Sequence, residues 1–151
     1  MEFLAQYHRV VVHFPIAFLS VYFLFEIAGL IIKKEYIQKT SAILLGVGIL
    51  FSLLAVLTGN QAYEFYKNNP QIQNAVSSIN EHEQYATISL FYFTALFFLK
   101  VYLIIKKKSS IILILLLIFL GFVGAILIFL TGHYGGELVY KFGLGTDLFG
   151  K

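Results

Sequence analysis

Residues 111–130 read IILILLLIFLGFVGAILIFL, and this uncharged stretch decides the fold class. About 20 apolar residues in a helix cross the roughly 30 Å hydrocarbon core of a bilayer. Backbone groups in lipid must hydrogen-bond within the protein, and the run is too long for a barrel strand. We therefore expect a transmembrane helix that ends near residue 131, before the glycines that follow. Three earlier stretches have the same character, at residues 10–32, 40–59 and 84–105.

The composition of the whole chain agrees with a lipid environment. Of its 151 residues, 59% are hydrophobic and 13% are charged, whereas soluble domains carry about 25% charged residues. This balance excludes an ordinary soluble globule and a disordered chain. The net charge of +3 is too small to indicate nucleic-acid binding. Because the chain has no cysteine, it has no disulfide framework, no cysteine-ligated iron–sulfur cluster and no covalently attached c-type haem.

The connections between the spans predict an all-α, up-down four-helix bundle that forms a single integral membrane domain over residues 1–151. Residues 33–39 and 106–110 are so short that the spans they join must be antiparallel neighbours. The longer polar segment 60–83 is expected to form a loop between the second and third spans.

Charge is distributed unevenly between the two ends of this bundle. The two short connections, together with Lys100, carry seven lysines against Glu35, a net charge of +6, while the opposite end carries a net charge of −2. The positive-inside rule then predicts a bacterial inner-membrane protein with both termini and segment 60–83 outside the cytoplasm. Glu26 lies within the first span and is expected to pair with Lys100, with a proton path as the alternative.

The chain also repeats itself. The first and third spans each carry a histidine, an alanine and a serine at positions i, i+4 and i+7 of one helix face. These are His13, Ala17 and Ser20 in the first span and His82, Ala86 and Ser89 in the third. Leu-Thr-Gly ends the second and fourth spans, at 57–59 and 130–132. The repeat predicts two pseudo-symmetric helical hairpins, with His13 and His82 at equivalent depth and facing each other across the axis.

All four histidines fall at the extracytoplasmic end, and ionisable residues at membrane depth usually mark a functional site. Two facing imidazoles suit the axial ligands of a non-covalent b-type haem. We predict that His13 and His82 ligate it, that the small residues Ala17, Ser20, Ala86 and Ser89 leave room for it, and that His8 and His133 contribute nearby. Such a cytochrome b-like protein transfers electrons near the periplasmic face, as a partner or subunit of a redox system.

Two other interpretations stay open. The same histidines suit zinc, copper or non-haem iron in a metal-binding or transport protein, and the chain also fits a structural membrane anchor. No arrangement of nucleophile and base is visible, so an electron-transfer protein is favoured over an independent enzyme. A homo-oligomer is compatible with every one of these interpretations.

Three features of the chain form a recognisable pattern: the segment H-x-x-x-x-H-F-P-I-A from His8 to Ala17, the histidine at 82, and T-G-x-x-G-G-x-L-V-Y-x-x-G-x-G from Thr131 to Gly145. In these features the chain resembles a family of predicted four-helix bacterial membrane proteins of unknown function. Some relatives are fused to Rieske-type iron–sulfur domains. The resemblance therefore implies a redox setting at the outer face of the membrane.

Overall fold

The structure, a computed structural model, describes residues 2–68 and 70–146, without the side chains of residues 2–5 and 71. Over that part of the chain it contains five α-helices and no strand. They are α1 (Glu2–Val11), α2 (His13–Ile32), α3 (Glu35–Tyr66), α4 (Pro70–Ile105) and α5 (Ile111–Tyr140). Four segments are long and apolar enough to cross a membrane, namely Gln6–Ile32, Glu35–Tyr66, Ile72–Ile105 and Ile111–Tyr140. The predicted all-α four-helix bundle is confirmed.

The helices are arranged as a square in which sequence neighbours are antiparallel. Helix α2 packs against α3 and α5, and α4 packs against the same two helices, so α2 and α4 lie on a diagonal. The turns after α2 and α4 each contain a lysine with positive φ, 54° at Lys33 and 50° at Lys107. The backbone N–H of Lys33 donates to the carbonyl of Gly29, which closes the end of α2.

The buried faces of α2 and α4 reveal the register of the repeat. Five buried residues of α4 repeat the spacing of the five that α2 buries, and each of them lies 74 positions after its counterpart. The two sets are Pro15, Leu19, Tyr22, Glu26 and Gly29 in α2 and Ser89, Phe93, Leu96, Lys100 and Leu103 in α4. The predicted match of His13 with His82 has an offset of 69, so the structure corrects it by five residues. Alanine and serine match by chance in a sequence built from few residue types. The packing of large side chains between α2 and α4 decides the register.

Glycines allow the diagonal side chains to reach the centre of the bundle. A Cβ at Gly48 of α3 would lie 2.6 Å from Leu19 Cδ2, and one at Gly124 of α5 would lie 2.6 Å from Phe93 Cζ. Small residues at helix contacts permit the close packing that holds helices together in lipid. At the centre of each hairpin, a glycine of one helix therefore leaves space for a large side chain of the other helix.

Three helices are longer than the sequence indicated. Helix α3 extends to Tyr66 and α4 begins at Pro70, so most of the segment expected to form a loop is helical. Helix α5 also continues through Gly135 and Gly136 to Tyr140 instead of ending near residue 131. These extensions carry three helix ends beyond the predicted spans, on the side of the bundle that carries the histidines.

Candidate functional site

Two histidines meet at the end of the bundle where α1, α3, α4 and α5 come together. His8 of α1 and His82 of α4 are partly buried, and their ring centroids lie 6.3 Å apart with the planes at 77°. The two residues are separated by 74 positions, the same offset as the buried stripes below them. The pair therefore lies at the pseudo-two-fold axis, with one imidazole from each hairpin.

Each imidazole hydrogen-bonds through Nδ1 to a threonine of a neighbouring helix. His82 Nδ1 lies 3.0 Å from the carbonyl oxygen of Thr131, which can only accept, so the proton is on Nδ1. His8 Nδ1 lies 3.1 Å from Thr58 Oγ1, whose own hydroxyl donates to the carbonyl of Leu54 at 2.8 Å. Because the Thr58 hydroxyl proton goes to the backbone, Thr58 Oγ1 can accept from Nδ1 of His8. With Nδ1 as the donor in each ring, Nε2 keeps its lone pair, as in metal-ligating histidines whose other nitrogen is bonded to the protein.

The same repeat supplies the surroundings of the two rings. Thr58 and Thr131 are the threonines of the two Leu-Thr-Gly sequences, so one hairpin orients its imidazole through a hydroxyl and the other through a carbonyl. A Cβ at Gly59 would lie 2.9 Å from Cε1 of His8, and one at Gly135 would lie 3.0 Å from Cε1 of His82. Each ring therefore rests on a glycine of the neighbouring helix, and a larger residue there would displace it.

The remaining predicted site residues divide into two groups. Ser89 is buried below the histidine pair, with its Oγ 3.3 Å from Thr131 Oγ1, and Ala86 lies half-buried one turn earlier. The others, exposed on a different face, are His13, Ala17, Ser20 and His133. The expectation that His13 faces His82 is therefore corrected, because helix α2 turns His13 away from the axis and His8 takes that place.

His133 and Ser20 border an open groove between α2 and α5. The groove has a volume of about 450 Å³, and its other lining residues are Ile16, Ala125, Ile128, Phe129 and Gly132. The His133 ring stacks on Phe129 at 6.3 Å between centroids and meets Tyr134 edge-on at 5.4 Å. His133 is thus held by aromatic neighbours on the outside of α5, whereas His82 lies against its inside.

The four histidines do not assemble into one metal site. Among residues 2–68 and 70–146, no three His, Asp or Glu side chains converge in a way that could hold a metal ion. Zinc sites use three or four protein ligands. The described structure therefore offers a pair of imidazoles and not the larger ligand set that a bare transition-metal ion needs.

Comparison with known proteins places the chain in a family. A family model described as "Predicted membrane protein (DUF2231)" matches residues 6–148. The chain belongs to this family. No curated protein and no solved structure matches it. The resemblance seen in the sequence is confirmed at the level of a membrane-protein family of unknown function.

A second polar centre of this family member lies in the other half of the bundle. Glu26 and Lys100, both fully buried, form an ion pair, and Lys100 Nζ also donates to Gln38 Oε1 at 3.0 Å. The pairing predicted from the sequence is confirmed. Sequence reasoning missed Gln38 as a partner, and it missed Thr58 and Thr131 as the groups that orient the imidazoles. The repeated Leu-Thr-Gly, read as a landmark of the repeat, was the signal that could have found the two threonines.

Proposed function

We propose that this protein is a membrane electron-transfer protein that holds a b-type haem through His8 and His82. The observation that carries the proposal is the histidine pair itself, with one imidazole from each hairpin, a centroid separation of 6.3 Å and both Nδ1 atoms engaged by the protein. Two imidazoles bound to one metal ion through nitrogens at about 2.0 Å have centroids roughly 6 Å apart.

The set of available ligands favours haem over a bare metal ion. A haem iron takes four nitrogens from the porphyrin and needs only two axial ligands from the protein. A pair of neutral imidazoles meets that need, whereas zinc, copper or non-haem iron require further protein ligands, which the described residues do not gather. The absence of cysteine agrees with non-covalent attachment.

The residues around the pair would prepare the ligands. Thr58 and the Thr131 carbonyl hold each ring in the tautomer that presents Nε2, and Gly59 and Gly135 leave space for the rings. Such bonds to the second nitrogen fix ring orientation and raise ligand basicity. When bound, haem supplies one-electron transfer chemistry. The chain's own contribution is to orient and bury the ligands.

The position of the pair suggests how the protein works. We infer that both termini and the histidine end face the periplasm, because the lysine-rich turns hold the net charge of +6 at the other end. A single redox site near one face cannot carry electrons across the bilayer. We therefore propose that it exchanges electrons with a periplasmic or membrane redox partner, the setting that the sequence resemblance implies. A homo-oligomer is compatible with this role.

Titration of the purified protein with hemin tests the proposal. Wild-type protein in detergent should bind one hemin per chain with the low-spin spectrum of two imidazole ligands. His8→Ala and His82→Ala should lose that spectrum, while His13→Ala, the matched control on the exposed face, should retain it. Circular dichroism of each variant shows whether the helices remain.

Three results would contradict the assignment. Loss of the spectrum in His13→Ala but not in His8→Ala would support the pair expected from the sequence. Metal in the purified protein without haem would indicate a metal-binding protein. Wild-type protein that contains neither haem nor metal would support the interpretation as a structural membrane anchor.

A further inference from the structure

The two turns at the lysine-rich end of the bundle share an unusual choice of residue. Lys33 follows α2 and Lys107 follows α4, and the two lysines are 74 positions apart, the offset of the repeat. Both have a positive φ, 54° and 50°. The proposed cofactor site lies at the opposite end of the bundle and uses neither residue.

Both lysines occupy the position at which helices commonly end with glycine. After α4, the N–H of Lys108 donates to the carbonyl of Leu103 at 3.0 Å, the bond that defines a Schellman motif around Lys107. After α2, the N–H of Lys33 itself donates to the carbonyl of Gly29 at 3.2 Å, the simpler left-handed helix ending. Glycine adopts this conformation without the steric cost that a Cβ brings. Each hairpin therefore has a strained lysine where glycine would suit the backbone better, and strain of this kind often accompanies function.

The lysine side chains at this end are exposed and have little counter-charge. Segments 33–39 and 106–110 carry six lysines against one glutamate, Glu35, which pairs with Lys39 at 2.8 Å. Lys107 is close enough to Glu35 for their charges to interact, so the two turns lie side by side. Within the part of the chain that the structure describes, the other lysines form no ion pair. These exposed residues, which we call the lysine patch, are Lys33, Lys34, Lys106, Lys107 and Lys108.

The position of the patch relative to the membrane indicates which anions it meets. Two residues separate α2 from α3 and five separate α4 from α5, so neither turn projects far from the bundle. Tyr36 and Tyr102 lie beside the turns and are 61% and 48% exposed. Exposed tyrosines at the ends of membrane spans are typical of the membrane–water interface, and Lys108 Nζ lies 5.9 Å from the centroid of the Tyr102 ring. The lysine patch is therefore level with the lipid headgroups.

We propose that the lysine patch binds the phosphate group of an anionic phospholipid in the leaflet that this end of the bundle faces. Clusters of about 4–8 basic residues next to a membrane span attract anionic lipids, and each residue contributes roughly fivefold in affinity. The positive-inside rule requires lysines in these turns but not at the left-handed positions. At those positions, Lys33 and Lys107 add one ammonium group from each hairpin to the patch.

Native mass spectrometry of the full chain in detergent, titrated with phosphatidylglycerol or phosphatidylcholine, tests this proposal. Wild type should bind the anionic phosphatidylglycerol more tightly than the zwitterionic phosphatidylcholine. Lys33→Gly/Lys107→Gly should lower the affinity for phosphatidylglycerol on the order of 25-fold, at roughly fivefold for each lysine, and leave phosphatidylcholine binding unchanged. Because glycine suits a positive φ, this variant should unfold no more easily than wild type in detergent without lipid.

The matched control is Lys67→Gln/Lys141→Gln, which removes two positive charges at the opposite end of the bundle. It should keep the wild-type affinity for phosphatidylglycerol. If Lys33→Gly/Lys107→Gly does not fold, Lys33→Asn/Lys107→Asn gives the same test, since asparagine also adopts a positive φ.

Three outcomes would overturn the proposal. Equal affinity of wild type for the two lipids would mean that the patch does not recognise the anionic headgroup and would favour an acidic protein partner. Unchanged affinity in Lys33→Gly/Lys107→Gly would mean that these lysines serve orientation in the membrane alone. An equal loss of affinity in the control would attribute the effect to net charge and not to the lysine patch.

Discussion

Breaking the ion pair between Glu26 and Lys100 should destabilise the bundle strongly. The two side chains are 0% and 1% exposed, so water cannot screen a charge that loses its partner. Removal of one member of a buried pair costs about 3–5 kcal/mol, because the other charge is left without compensation in a low-dielectric interior. We expect losses of this size for Glu26→Leu and, separately, for Lys100→Met.

The double variant Glu26→Leu/Lys100→Met should recover most of the lost stability. Replacement of a whole buried pair by apolar residues of similar volume is neutral or stabilising by about 1–4 kcal/mol. The two substitutions are therefore strongly non-additive, with a coupling energy of several kcal/mol between residues in direct contact. Lys100→Met leaves the unpaired Glu26 carboxylate, and the second substitution removes that charge as well.

Unfolding in mixed micelles with increasing fractions of denaturing detergent, followed by circular dichroism, measures these differences. The exposed pair Glu35 and Lys39, with its atoms 2.8 Å apart, provides the control. Its removal should cause no measurable change, since ion pairs in water contribute little. If the double variant is as unstable as the sum of the two single variants, the reasoning about the buried pair is refuted.

Two further predictions concern the outer end of the bundle. Gly135→Ala should weaken cofactor binding, because the added Cβ would lie 3.0 Å from Cε1 of His82. A Cβ added at Gly132 meets no atom within 4 Å, so Gly132→Ala should stabilise α5 by about 1 kcal/mol and leave hemin binding unchanged. Hemin titration measures the first effect and unfolding measures the second. Thr58→Val should reduce cofactor affinity roughly 10–100-fold, because His8 loses its acceptor. Thr131→Val should reduce it less, since His82 bonds to the backbone there; equal losses in the same titration would contradict this.

The sequence predicted the parts of the fold that depend on the lipid environment. Four spans followed from hydropathy alone, and the antiparallel order followed from short connections such as 106–110. The pair Glu26 and Lys100 could also be predicted, because an unpaired charge within a span is costly in lipid and opposite charges therefore pair. These features depend on the free energy of placing an apolar or a charged side chain in lipid, which is large and acts on each residue separately.

The details of the site depended on packing and could not be predicted. The choice between His8 and His13 as the neighbour of His82 is decided by how α2 turns relative to the axis, which large side chains such as Leu19 and Phe93 set. Helix α5 continues through Gly135, and the glycine at this position leaves space for the ring of His82. A local pattern of glycine and alanine carries no information about these contacts.

The central claim is that His8 and His82 hold a haem, and the reduced-minus-oxidised visible spectrum of protein purified from cells tests it most directly. Spectra of wild type, His8→Ala and His13→Ala suffice. We expect a sharp α-band in wild type and in His13→Ala, and none in His8→Ala. A wild-type spectrum without the band, or a band that survives in His8→Ala and disappears in His13→Ala, would contradict it.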